Sequence, residues 1–201
     1  MKITDIQQQK KNNERFSVFI DGEFRFGLSS VDVLFFKLKI GDEITEERCQ
    51  YILENVIFTK ARDRALKYLG FKARTEREVL KKLQEYEYPE EIILRVVELV
   101  KRYNYVNDEN FATAYVKDRV KLKGYGKQKI KYELRERGVS ESIIESCLEE
   151  IPLNELENAV KYISKKTKNP NDPKERNRIY NALVRRGFSY EIIQTAFEQR
   201  E

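Results

Sequence analysis

The sequence predicts a mainly α-helical protein: three tandem three-helix repeats forming an elongated, curved array behind a small N-terminal domain that contains a β-hairpin. Three observations predict it. Asp21-Gly22 separates two β-rich runs, a hairpin signal. Three later windows share one apolar register without gaps, the mark of a repeat architecture. The composition, 36% charged with 8 Gly and 4 Pro in 201 residues, suits helices with much surface per residue.

In the stretch "RFSVFIDGEFRFGLS" the two runs are Arg15–Ile20 and Glu23–Leu28, and Ile3–Gln9 offers a third strand. Ser30 is expected to cap a short helix through "VDVLFFKLKI" that ends at Gly41. Another helix starts near Thr45. These elements make up the first domain, residues 1–58.

The repeats follow at 59–106, 107–152 and 153–201. Val79, Ile130 and Ile179 correspond, as do Leu83, Leu134 and Leu183; Tyr88, Val139 and Phe188 come five residues later. The pairs Ile92-Ile93, Ile143-Ile144 and Ile192-Ile193 keep the register, as do Val96-Val97, Cys147-Leu148 and Ala196-Phe197. Each window reads as helix, tight turn, helix. Gly138 and Gly187 stand where the first of these helices ends and a left-handed residue is wanted; Glu87 holds that place in the first window. Ser140 and Ser189 offer N-caps, and Pro89 sits near the start of its helix. A further helix precedes each window, over Thr59–Leu69, Asn107–Leu122 and Leu153–Lys166. The connectors differ: Thr75-x-x-Glu78 forms a capping box, Gly124-Tyr125-Gly126 forms a turn with an exposed tyrosine, and "KKTKNPNDPKE" ends on Asp172 as cap with Pro173 at the first helical position. Such units bury their faces by stacking on one another.

Several function classes fall away. There is no histidine, which removes Ser-His-Asp and Cys-His catalysis and histidine zinc sites. The run from Gly22 to Ser29 has nearly the spacing of a phosphate loop, but Leu28 stands where the lysine belongs and Gly22 already serves the hairpin. Gly124-Tyr125-Gly126 follows a helix rather than a strand, and Lys129 stands where a dinucleotide loop needs its third glycine. Carboxylates are mixed with Lys and Arg in a solvated-face pattern, with no cluster for a two-metal site. No catalytic residue, metal or cofactor is expected, and the chain reads as a non-enzyme. Cys49 and Cys147 show no pairing or metal spacing and read as buried thiols of a reducing cytoplasm. Residues 1–16 hold no apolar signal region, and no run approaches a membrane span.

What remains is basic charge. The net charge is +5 with a pI near 9.0, which permits a polyanionic or acidic partner. It is unevenly spread: Tyr115–Arg137 holds 9 basic and 3 acidic residues, and Gly138–Ile151 holds 4 acidic and none basic. Lys117 and Lys121 share a helix face. Lys127, Lys131 and Arg135 form an i, i+4, i+8 stripe beside the apolar Ile130/Leu134 face. Arg185-Arg186 and Arg62-Arg64 are smaller clusters. One reading is an ordinary solvated helix surface whose aliphatic stems cover the core; the other is a basic ridge around Tyr125 that faces phosphates or an acidic protein surface.

The stretch "NDENFATAYVKDRVKLKGYGKQKIKYELRERGVS" resembles the central repeat of the RecX family, through Asp108, Phe111-Ala112, Tyr115, Arg119, Gly124-x-Gly126, Ile130, Glu133-Leu134 and Arg137-Gly138-Val139. "ALKYLGFKARTEREVLKKL" from Ala65 resembles the first repeat, with Arg74-Thr75 before the Glu78-x-Leu80 helix. The resemblance covers roughly 59–201, and the β segment resembles an extension carried by longer members. It implies a monomeric, cytoplasmic, non-enzymatic regulator that binds RecA filaments on single-stranded DNA, has modest DNA affinity of its own, and inhibits or modulates ATPase, strand exchange and the co-protease role in the SOS response. The alternative is a helical-repeat module whose main task is binding nucleic acid directly. Candidate contacts are Arg119, Lys121, Lys123, Tyr125, Lys127, Lys131 and Arg135, then Arg185 and Arg186; Arg119, one turn after Tyr115, reads equally well as structural.

Overall fold

The computed structural model describes residues 1–9, 12–167 and 172–199. It opens with β1 (Ile3–Gln9), β2 (Asn12–Ile20) and β3 (Glu23–Ser29), an antiparallel sheet in the order β1-β2-β3. Asp21 and Gly22 have φ of 51° and 89°, the two left-handed residues a right-twisted two-residue hairpin requires. Ile20 pairs with Glu23 across it.

Helix α1 (Ser30–Phe35) is capped by Ser29 in a capping box with Asp32, not by Ser30, and it stops well short of Gly41. Leu38 decides this. It is buried at 6% exposure, while Val31, Leu34 and Phe35 are all above 70%. The chain must leave the helix to turn Leu38 inward, and it does so at Lys37, with φ of 50°. Helix α2 (Glu46–Ile52), capped by Thr45, runs through a π-helical stretch at Leu53–Ile57 into α3 (Phe58–Leu69).

Helices α4 (Glu76–Gln84) and α5 (Glu90–Arg102) complete the first repeat. Val18, Phe26 and Leu28 of the sheet and Val79, Leu83, Ile92 and Val96 of the repeat lie in one buried cluster with α2 and α3 residues. Residues Met1–Val106 accordingly form one compact unit. Thr75 caps α4 by the Thr75/Glu78 box. Pro89 is the cap residue of α5 rather than its first residue. Glu87 does take the left-handed conformation of the turn, with φ of 52°, at a cost of about 1 kcal/mol that glycine avoids.

The second unit begins at Asn107. It holds α6 (Asp108–Asp118), α7 (Lys127–Glu136) and α8 (Glu141–Glu150), then α9 (Glu155–Lys166), α10 (Pro173–Arg185) and α11 (Tyr190–Glu198). Its two repeats each bury a separate cluster. Gly138 and Gly187 have φ of 84° and 83°; Ser140, Asp172 and Ser189 cap the following helices, with Pro173 at the start of α10. Of the expected connector "KKTKNPNDPKE", residues 168–171 lie outside the described residues. The shared register is the core: Val79, Ile130, Ile179, Leu83, Leu134 and Leu183 are all at most 2% exposed. One further equivalence joins it. Ala61, Ala112 and Ala159 are each 0% exposed on the first helix of a repeat, where a small side chain lets that helix press close to the other two.

Candidate partner-binding surface

Beyond Asp118, where α6 ends, the chain continues as a π-helical stretch, Arg119–Lys123, closed by Gly124 in the left-handed conformation with φ of 56°. The N–H of Gly124 donates to Val120 O (3.2 Å) and that of Tyr125 to Arg119 O (3.2 Å). Such an inserted turn rotates the side chains that follow it. Here it leaves Leu122 69% exposed, flanked by exposed Lys121 and Lys123. Among the described residues neither lysine has a carboxylate partner.

Gly126 is fixed by the next repeat. Its N–H donates to Arg186 O (2.9 Å), and the Gln128 N–H donates to Gly187 O (3.1 Å). A Cβ on Gly126 would lie 2.4 Å from Gly187 O, and one on Gly187 2.2 Å from Lys129 N. The two glycines thus allow two backbones to meet at hydrogen-bond distance. Side chains close around the contact. The Arg186 guanidinium donates to Lys123 O (2.7 Å) and lies 4.4 Å from the Tyr162 ring. The Lys129 ammonium lies 4.5 Å from the Tyr125 ring and donates to Arg185 O (3.3 Å). Glu155 accepts from the Lys127 N–H (2.8 Å). Tyr125, expected to be exposed, is therefore half-buried, packed against the core of its own repeat.

The stripe along α7 is paired. Arg135 forks onto Glu141 at 2.7 and 2.6 Å. Lys131 reaches Glu141 at 2.6 Å and also Glu145, and Lys127 reaches Glu145 at 3.7 Å. The acidic run after Gly138 is the reason: the tight turn brings α8 onto α7 and lays its carboxylates against the stripe. Hydrogen bonds from Arg135 and Lys131 hold the Glu141 carboxyl down from 4.5 to about 2. Exposed pairs of this kind contribute little to stability, but a new partner must displace them to reach the stripe.

Arg119 is internal scaffolding. It donates to Glu133 (3.2 Å), Asp118 (2.7 Å) and the Tyr115 hydroxyl (3.0 Å), 4.2 Å from the Tyr115 ring. The Tyr115 hydroxyl itself donates to Glu133 (2.7 Å); burial, with that bond, pushes its pKa up.

The nine candidates thus separate. Lys121, Lys123 and Arg185 offer cations without carboxylate partners among the described residues. Tyr125 and Arg186 tie the two repeats together at the same junction. Lys127, Lys131 and Arg135 form a neutralised stripe, and Arg119 is tied to Tyr115 and Glu133. Sequence reasoning missed Lys129, Glu155 and the pressing of Gly187 onto Lys129. These contacts join residues far apart in the chain, and the repeat register carries no sign of them.

Among the described residues no group of Cys, Asp and Glu is arranged to hold a metal ion, and no helix is long and apolar enough to cross a membrane. Four family models match the chain in order: the regulatory protein RecX N-terminal domain at 1–45, and the first, second and third RecX three-helix domains at 61–98, 107–148 and 154–197. The chain belongs to the RecX family. A regulatory protein RecX from Clostridium botulinum (strain Alaska E43 / Type E3) is 33% identical over 204 residues, covering 98% of this chain and 95% of the relative. One from Clostridioides difficile (strain 630) is 34% identical over 197 residues, covering 96% and 92%. A crystal structure of regulatory protein RecX aligns with a TM-score of 0.66 at 27% identity, covering 98% of both chains. The three-helix units are thus those of RecX, and the role the chain shares with its relatives is regulatory.

Proposed function

We propose that this RecX protein binds the RecA recombinase filament assembled on single-stranded DNA and inhibits it, lowering ATP hydrolysis, strand exchange and the co-protease role in the SOS response. It acts without catalysis of its own, as a cytoplasmic monomer. The observation that carries the reading, beside family membership, is the junction of the second and third repeats. Lys121 and Lys123 stand exposed on either side of exposed Leu122, with Arg185 exposed on the adjoining repeat. An apolar tip with a basic rim suits a protein surface bearing carboxylates. The backbone pairing at Gly126 and Gly187 holds that lip rigid, so little ordering entropy is lost on binding.

The test is the ATPase rate of the cognate recombinase filament with and without the protein. Inhibition by the native chain, weakened about tenfold by Lys121→Ala/Lys123→Ala, supports the reading; no inhibition by the native chain ends it. Unpaired cations also suit phosphates, which favours a second reading, direct binding to nucleic acid as the main task. Tight binding to naked single-stranded DNA with a steep salt dependence would select that reading instead.

A further inference from the structure

The first unit carries a cavity of about 440 Å³ lined by residues of β2, β3 and α3 together with Tyr88. Lys60, Arg64 and Lys67 line one side of it. Their i, i+4, i+7 spacing puts them on one face of α3, spread over about 10 Å of its axis. Across from them Arg15 donates to Gly27 O at 2.9 Å, with its guanidinium 4.7 Å from the Tyr88 ring. A Cβ at position 27 would lie 2.7 Å from Arg15 Nη2, so the glycine makes room for the guanidinium. Arg15 Nε is buried and has no hydrogen-bond partner among the described residues.

The four cations are held in different ways. Lys60 is paired with Asp32. Arg64 lies 3.7 Å from the centre of the Tyr86 ring, which fixes its plane without neutralising it. Arg15, Arg64 and Lys67 have no carboxylate partner among the described residues. Two planar forks and an ammonium converging on one cleft match the several acceptor oxygens of a phosphate. Glu14 and Asp63 share the lining, and Asp63 is paired with Arg62 at 2.8 Å. Three cations around one cleft suit a single phosphate group.

We infer that this cleft is a phosphate-binding site, in which Arg15, Arg64 and Lys67 hold one phosphate of a nucleotide or of a nucleic-acid strand. The inference does not rest on recombinase binding, and its test contains no recombinase. The full chain is titrated with thymidine monophosphate, with oligothymidylate and with acetate at constant ionic strength, following the arginine Nε–H resonances. The expected result is that a phosphate probe moves Arg15 and Arg64 while acetate does not. Arg64→Ala/Lys67→Ala then weakens that binding by about tenfold. Both residues are exposed and alanine favours helix, so the variant folds. Binding of the mononucleotide assigns a free phosphate; binding of the oligonucleotide alone, with the same loss in the variant, assigns a strand phosphate. Unmoved arginine resonances, equal effects of acetate, or unchanged affinity in the double variant would overturn the site.

Discussion

Two sets of basic residues in the second unit look alike in the sequence and differ in the fold. Along α7, Lys127, Lys131 and Arg135 each meet a carboxylate of α8. At the junction of the second and third repeats, Lys121, Lys123 and Arg185 meet none among the described residues. Charge density along a chain therefore does not measure the charge a partner can use. The paired stripe is a poor anchor, since each new contact must first break an existing one. The exposed cations of the lip have no such pair to break among the described residues. Its geometry comes from backbone, from a π-helical turn on one side and two glycines pressed together on the other.

The largest expected effect comes from breaking the scaffold of the lip. Gly126→Ala puts a Cβ 2.4 Å from Gly187 O, against backbone that has nowhere to go. Its φ of −81° is open to any residue, so the cost is steric alone, about 3 kcal/mol. Urea unfolding would show it, and a variant of native stability would mean that the glycine contact does not hold the lip. Next in size is Lys121→Ala/Lys123→Ala, which should weaken inhibition of the recombinase ATPase about tenfold, or about 1.4 kcal/mol, with thermal stability unchanged. Lys127→Ala/Lys131→Ala/Arg135→Ala should weaken it less. Equal loss from both variants would erase the distinction between lip and stripe.

Gly124→Ala sharpens the comparison within one turn. Gly124 needs its φ of 56°, but a Cβ added to it would meet no atom within 4 Å, so the substitution should cost only about 1 kcal/mol. The two glycines flanking Tyr125 would then differ about threefold in cost, one required for conformation and the other for space. The smallest effect is in pH. Glu141 is held down from 4.5 to about 2, so the stability its pairing adds is complete above pH 4.5 and lost as the pH falls toward 2. Glu141→Gln should flatten the dependence of the melting temperature on pH in that window; an unaltered profile would mean the stripe is not held as described.

Much of the fold was legible in residues. Asp21-Gly22 marked the hairpin because few sequences tolerate two left-handed residues in a row. The threefold register located the core because burial demands apolar side chains at helical spacing, and Leu83, Leu134 and Leu183 are each 0% exposed. Ser140 and Ser189 marked helix starts through a local hydrogen bond. Where the reading slipped, the deciding contact was distant. Helix α1 ends early because Leu38 must reach a core built largely from other segments. Tyr125 is covered because Lys129 and Arg186, the latter from another repeat, lie against it.

The candidate surface divides in the same way. Residue types and their basic bias are plain in the chain, as is the acidic run that answers them. That Glu141 and Glu145 neutralise Lys131 was decided by the angle at which α8 returns on α7. The cleft in the first unit was less visible still, since Arg15 and the α3 cations lie far apart in the chain.

The sequence by itself determined the helical repeats, their turns, their caps and their family, because each rests on local backbone preference or on a periodic pattern of burial. Only the tertiary structure decided which charges are free and which glycine is irreplaceable. Those properties depend on what a second segment brings within a few ångströms, and electrostatic pairing and steric exclusion act through space without regard to position in the chain.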